Sequence, residues 1–201
     1  MNLRSTSRPM QATSAEHNPD STPVWDPVVR MCHWTIVAGC AFNLFRENGG
    51  TTHRAVGYLV SAALAVRLFW GFVGRGHARF SKFVPHLATL GKYLRLLYLN
   101  REPRYLGHNP AGALMSLALI GLLIIVSITG WMFGIERYSG SQSLKLIHQI
   151  SAMSLLPVVG LHVLVVVFES LGHHENLIKS MITGRKRKPT GTDIDVTIDD
   201  E

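Results

Sequence analysis

The stretch LKLIHQISAMSLLPVVGLHVLVVVFESL, from Leu144 to Leu171, decides how this chain is read. Lys145 near its start and Glu169 near its end are its only formal charges. It exceeds the ~20 apolar residues that cross a ~30 Å hydrocarbon layer, so it reads as a membrane-spanning helix. Two imidazoles, His148 and His162, lie within it. Ionisable groups at such depth are costly, which makes a functional role their default reading.

Working outward, three further apolar runs resemble it in length: Val28 to Phe45, Ala55 to Val73 and Ala111 to Gly134. The expected fold is all-α, an integral membrane four-helix bundle. Composition agrees. Of 201 residues, 47% are hydrophobic and 16% charged, against about 25% charged in a soluble domain. The formal net charge of +7 would suit a nucleic-acid binder. Here, however, the bases flank apolar runs, which is a membrane pattern, and no nucleic-acid partner is expected. Residues 1–23 are polar with no apolar core, and read as a disordered tail without a cleavable signal. Residues 185–201, basic RKRK and then acidic DIDVTIDDE, read as a second disordered tail around a domain over 24–184. Cys32 and Cys40 lie ~12 Å apart along a helix, too far for a disulfide. Val29 stands where a CxxCH motif needs its first cysteine, so covalent haem attachment is excluded.

Lysine and arginine set the expected orientation. Fifteen fall on the N-terminal segment, the 74–110 loop and the C-terminal segment; four, Arg46, Arg54, Arg137 and Lys145, fall on the opposite side. The positive-inside rule places both termini and the long loop in the cytoplasm. Within that loop Leu87, Leu90, Leu94, Leu97 and Tyr98 recur at helical spacing, with Pro85 suited to a first turn. A short interfacial helix on the membrane surface is expected. The twentieth base, Arg67, falls inside the second span.

Depth sorts four histidines into pairs. His148 and His162 are fourteen residues apart, ~40° short of four full turns, so they share a helix side ~21 Å apart. His33 enters the first span from the cytoplasmic end, and His53 enters the second from outside. An outer pair, His53 with His148, and an inner pair, His33 with His162, follow. Two neutral imidazoles facing each other in a bundle suit the two axial positions of a planar iron macrocycle. Zinc would call for a closed set of Cys, His or carboxylate at one level, and a proton relay for acidic partners. Two non-covalent, bis-histidine haems b are the expected cofactors, the competing reading being histidines that only join helices. Gly39, Gly57, Gly130 and Gly160 offer room for close approach. Arg67 follows His53 by fourteen residues, so it reaches the inner level, where a haem propionate would be its partner; the competing reading is an arginine that snorkels to the interface.

Several motifs together are more specific than any of these. Trp25-Asp26-Pro27-Val28-Val29-Arg30 followed by Met31-Cys32-His33-Trp34, His53 with Gly57, and Arg104-Tyr105-Leu106-Gly107-His108-Asn109-Pro110 form the first half. Thr129-Gly130-Trp131, His148-Gln149, Leu161-His162-Val163, Glu175-Asn176-Leu177 and Ile182-Thr183-Gly184 form the second. Over residues 24–186 the chain resembles bacterial cytochrome b561-type proteins, which include the membrane cytochrome b subunits of nickel–iron hydrogenases. The resemblance implies electron transfer between the quinone pool, ubiquinone or menaquinone, and a redox partner across a bacterial inner membrane. It implies the same ligand pairs, His33 with His162 and His53 with His148. It leaves the partner open: a periplasmic cytochrome c, a dehydrogenase or a hydrogenase. A stand-alone superoxide:quinone oxidoreductase is a second reading, with Arg46, Arg54, Arg137 and Lys145 as its anion-attracting surface. A haem-free scaffold or transporter subunit is a third.

Overall fold

Four helices long and apolar enough to cross a membrane dominate the computed structural model: α1 (Pro27–Phe45), α2 (Thr51–Val73), α5 (Pro110–Met132) and α6 (Gln142–Gly172). The structure describes residues 21–46, 49–99 and 101–195. Each span begins within a few residues of its expected position because local chemistry starts it. Asp26 caps α1 by accepting from the Val28 N–H at 2.7 Å, with Pro27 at the first helical position. Asn109 and Pro110 repeat this at α5, the Asn109 side-chain Oδ1 accepting from the Gly112 N–H at 2.6 Å. Ser141 caps α6, which runs on through Pro157.

The spans pack in sequence, α1 on α2, α2 on α5 and α5 on α6. Along its length α6 follows α5 and makes little close approach to α1 or α2. Val60 and Leu64 of α2 and Leu123 of α5 form the buried core, with Ile36, Cys40, Ile120 and Leu155 packed against them. The outward faces stay apolar: Phe69, Phe72, Leu164 and Leu171 are among the exposed residues, as expected of helices whose solvent is lipid. A Cβ on Gly39 would lie 2.4 Å from Cγ2 of Val60. Gly39→Leu is therefore expected to force α1 away from α2 and to cost ~1–3 kcal/mol, as overpacked cores do. A lower thermal midpoint in detergent would show it; an unchanged midpoint would refute so close an approach.

Apart from a 3-10 turn at Glu136–Tyr138, the remaining elements gather at the end where α1 begins and α6 finishes. Here β1 (Ser21–Pro23) pairs antiparallel with β2 (Arg185–Arg187). The short α3 (Phe80–Phe83) and α4 (Leu87–Tyr98) form the 74–110 segment, and α7 (Leu177–Thr183) precedes β2. Gly184 ends α7 with φ 81°, and its carbonyl accepts from the N–H groups of both Val24 and Trp25. Trp25 Nε1 donates to Ser180 Oγ, Trp34 Nε1 to the Met181 carbonyl, and Arg30 to the Ile182 carbonyl.

Two expectations need correction here. A tail disordered from residue 185 does not describe residues 185–195, nor one through residue 23 the strand β1; residues 1–20 and 196–201 lie outside the described residues. The reason is Arg104, a buried guanidinium that needs anions. It bonds both carboxylate oxygens of Glu175, at 2.9 and 3.2 Å, and Asp193 on the C-terminal segment. The helix expected from the leucine spacing is present as α4, but it begins at Leu87 behind His86, with Pro85 outside it. Its buried residue is Tyr93, 2% exposed, whereas Leu87, Leu94 and Tyr98 face outward.

Candidate haem sites

The outer pair meets across the bundle. His53, in the first turn of α2, and His148, in the second turn of α6, have ring centroids 6.4 Å apart with planes at 67°. Neighbouring groups fix both tautomers. Thr129 Oγ1 donates to the Ile125 carbonyl at 2.7 Å, so at 2.9 Å from His148 Nδ1 it acts as an acceptor, and Nδ1 carries the proton. His53 Nδ1 faces the Arg46 carbonyl at 3.3 Å, which likewise can only accept. Each ring therefore keeps Nε2 as a free lone pair, the state in which imidazole binds a metal. Gly130 makes room for this arrangement, since a Cβ there would lie 3.3 Å from His148 Cε1. Phe133 packs edge-on to the same ring.

The inner pair is likewise drawn from α1 and α6. His33 and His162 are within electrostatic reach of each other. Nδ1 of His33 is buried without a hydrogen bond among the described residues, a state buried polar atoms seldom keep. His108 adjoins this level. Its ring meets Trp25 edge-on at 4.9 Å, and it interacts electrostatically with His162, Arg67 and Lys186. Burial first, and the Arg67 charge second, push His108 down to about 3, so it stays neutral at physiological pH.

Arg67 is buried in α2 as its spacing from His53 requires, and its Nη1 donates to the Ala78 carbonyl at 3.3 Å. Its guanidinium also lies 5.0 Å over the Phe80 ring. Among the described residues no carboxylate lies within ion-pairing distance of it. A buried arginine lacking an anion is costly, so the side chain fits a propionate as partner.

Haem b was tested against these residues. Metal–imidazole bonds of ~2 Å put two rings flanking one iron roughly 6 Å apart, the separation found for His53 and His148. The four histidines enter from α1 and α2 on one side and from α6 on the other, where the helices stand apart. The residues fit the group. A surface cavity of about 510 Å³, lined by Arg101, Glu102, Arg104, His173, His174 and Asp193 among others, lies at the C-terminal end of α6 instead. No group of three or more His, Cys, Asp or Glu suited to a bare metal ion occurs among the described residues.

Sequence reasoning missed Thr129 as a partner of His148. Its only signal was its place in Thr129-Gly130-Trp131. Thr129→Val is expected to leave the fold intact and to weaken the outer site ~10–100-fold for haem, as loss of a partner behind a ligating histidine does. Haem retention on dilution measures this; retention equal to the parent would remove Thr129 from the site.

Membrane-length helices with paired internal histidines define a class, the integral membrane cytochromes of b type. The chain belongs to the prokaryotic cytochrome b561 family, whose profile matches residues 24–184. Haem b and membrane electron transfer are the business of that family. Similar curated proteins carry one description, probable Ni/Fe-hydrogenase B-type cytochrome subunit. That of Rhizobium leguminosarum bv. viciae is 29% identical over 164 residues, 67% of this chain and 66% of the relative. That of Azotobacter vinelandii is 30% identical over 158 residues, 66% of this chain and 65% of the relative. That of Bradyrhizobium diazoefficiens is 23% identical over 212 residues, 82% and 85% of the two chains. The chain thus spans just under two thirds of the length of the first two. No solved structure matches it.

Proposed function

We propose that this chain is a di-haem membrane cytochrome b that passes electrons across a bacterial inner membrane between the quinone pool and a hydrogenase-type partner. Residues 24–184 form one four-span domain, with the segments at 21–23 and 185–195 as its rim. His53 and His148 hold the outer haem through Nε2, and His33 and His162 hold the inner one. When bound, haem b supplies a one-electron couple at each level. The observation that carries the reading is the His53–His148 separation of 6.4 Å with both Nδ1 atoms engaged elsewhere.

The chain's own residues do the rest. Thr129 and the Arg46 carbonyl orient the outer ligands and raise their basicity. Val60, Leu64 and Leu123 exclude water between the two levels. Arg67 offers the inner site a positive charge, which favours the electron-rich state. With two imidazoles to hold each haem, electron exchange is the chemistry the group would supply at each level. The partner follows the descriptions of the relatives; a periplasmic cytochrome c or another dehydrogenase is the remaining choice. Both termini lie in the cytoplasm by the distribution of charge. Leu87, Leu94 and Tyr98, exposed on α4, then rest on the inner lipid surface while Lys92 and Arg95 meet water and headgroups.

The deciding experiment is a reduced-minus-oxidised spectrum with haem stoichiometry on the pure protein. Two haems b per chain, reoxidised by a ubiquinone or menaquinone analogue, are expected. Colourless protein would refute the reading. Haem reduction by superoxide alone, without a protein donor, would favour the stand-alone oxidoreductase.

A further inference from the structure

A buried carboxylate stands below the inner pair. Glu169 follows His162 by seven residues on α6, two turns and ~10.5 Å along the axis, ~20° from the same face. It is 9% exposed, and each of its oxygens has a partner. Tyr93 on α4 donates its hydroxyl to Oε1 at 2.8 Å, and His173 Nε2 lies 3.3 Å from Oε2. Tyr93 is itself almost fully buried. His173 is partly exposed and lines the open surface cavity of about 510 Å³ at the end of α6. His173 therefore stands between that cavity and Glu169. Nothing in the electron path proposed above uses it.

Other charges bear on the group. From β2, Lys186 is electrostatically coupled to Glu169; from the loop, Glu102 and Tyr105 act on Tyr93. Burial and the Glu169 carboxylate push the Tyr93 phenol well above its ordinary value, so it remains a donor and does not ionise. The exchangeable site is the carboxylate.

We propose that Glu169, reached through His173, is a redox-linked proton site that takes up one proton from the cytoplasmic water as one electron arrives at the inner pair. The inference rests on the reading of His33 and His162 as haem ligands. An electron arriving at the inner pair adds one unit of negative charge on the same helix as Glu169, which raises the carboxylate's proton affinity. One O–H bond forms on Glu169 as water at the cavity gives up the proton through His173, and charge at the inner level is conserved. When the electron leaves, the proton returns by the same route. Tyr93 is a positioning residue, holding the carboxylate on α6 in line with His173.

Redox titration of the purified full-length holoprotein at stepped pH tests this. One of the two midpoints is expected to fall by about 59 mV per pH unit over part of the range, the tenfold change in proton concentration converted for one electron. Glu169→Gln is expected to abolish that slope and leave the other midpoint in place. Tyr93→Phe removes a donor to the carboxylate, so its sloping region is expected to move to higher pH with both haems retained. A purely structural Glu169 would lower stability and leave the slope where it was. Two haems with pH-independent midpoints, or a slope that survives Glu169→Gln, overturn the inference alone. If Glu169→Gln fails to hold haem, Tyr93→Phe decides, and an unmoved slope overturns it. Fewer than two haems in the parent protein refutes the haem reading and this inference with it.

Discussion

His162→Ala is expected to leave a protein that carries the outer haem and not the inner one, and His53→Ala the reverse. The two proposed ligands of each site come from different helices, α1 with α6 at one level and α2 with α6 at the other. Removing one imidazole deletes half of the pair that would hold the haem at its level. The levels are separated by the apolar packing of Val60, Leu64 and Leu123, so damage at one is not passed through a shared polar network. Haem per chain in the two variants, with the reduced spectrum of what remains, checks the outcome. Loss of both haems in each variant would mean that the sites fold as one unit, and loss of neither would remove these residues from ligation.

Arg104→Met is expected to cost ~3–5 kcal/mol, the penalty for stranding buried carboxylates by deleting their cation. The Arg104 and Glu175 side chains are 5% and 7% exposed, and the guanidinium also bonds Asp193 and the Arg187 carbonyl. Burial works to raise the Asp193 carboxyl, but the Thr190 N–H and Arg104 outweigh it and hold it below the ordinary carboxylate value. The sign follows from linkage: its contribution is complete above the unfolded value and is lost as pH falls through the lower folded one. The C-terminal segment should therefore come free in acid below the usual Asp range, and at neutral pH in Arg104→Met. Limited proteolysis of the tail together with thermal unfolding reads both. A variant as stable and as protected as the parent would show that this cluster is ornamental.

Local pattern made the spans and the meeting of His53 with His148 legible. A fourteen-residue interval on one helix is a geometric statement about depth, so His148 and His162 could be assigned to opposite levels before any fold was known. Periodicity alone also located α4 and its apolar stripe, on which Leu87, Leu94 and Tyr98 are exposed. Spacing could not show that Tyr93 turns inward to Glu169, seventy-six positions away. The partners of Arg104, seventy-one and eighty-nine positions distant, were out of reach for the same reason. A run of basic and then acidic residues looks solvated until a buried guanidinium elsewhere recruits it. Arg67 was placed at its level by spacing, while its contacts with Ala78 and Phe80 depend on how the following loop folds back.

The pairing of Thr22 with Lys186 has a temporal side. A ladder between the first and last described segments cannot assemble until all four spans have left the ribosome, so the rim beneath His33 and His162 is the last part of the molecule to shut. A cofactor held between those two histidines would be loaded before that doorway closes, and its escape afterwards would require β1 and β2 to unzip.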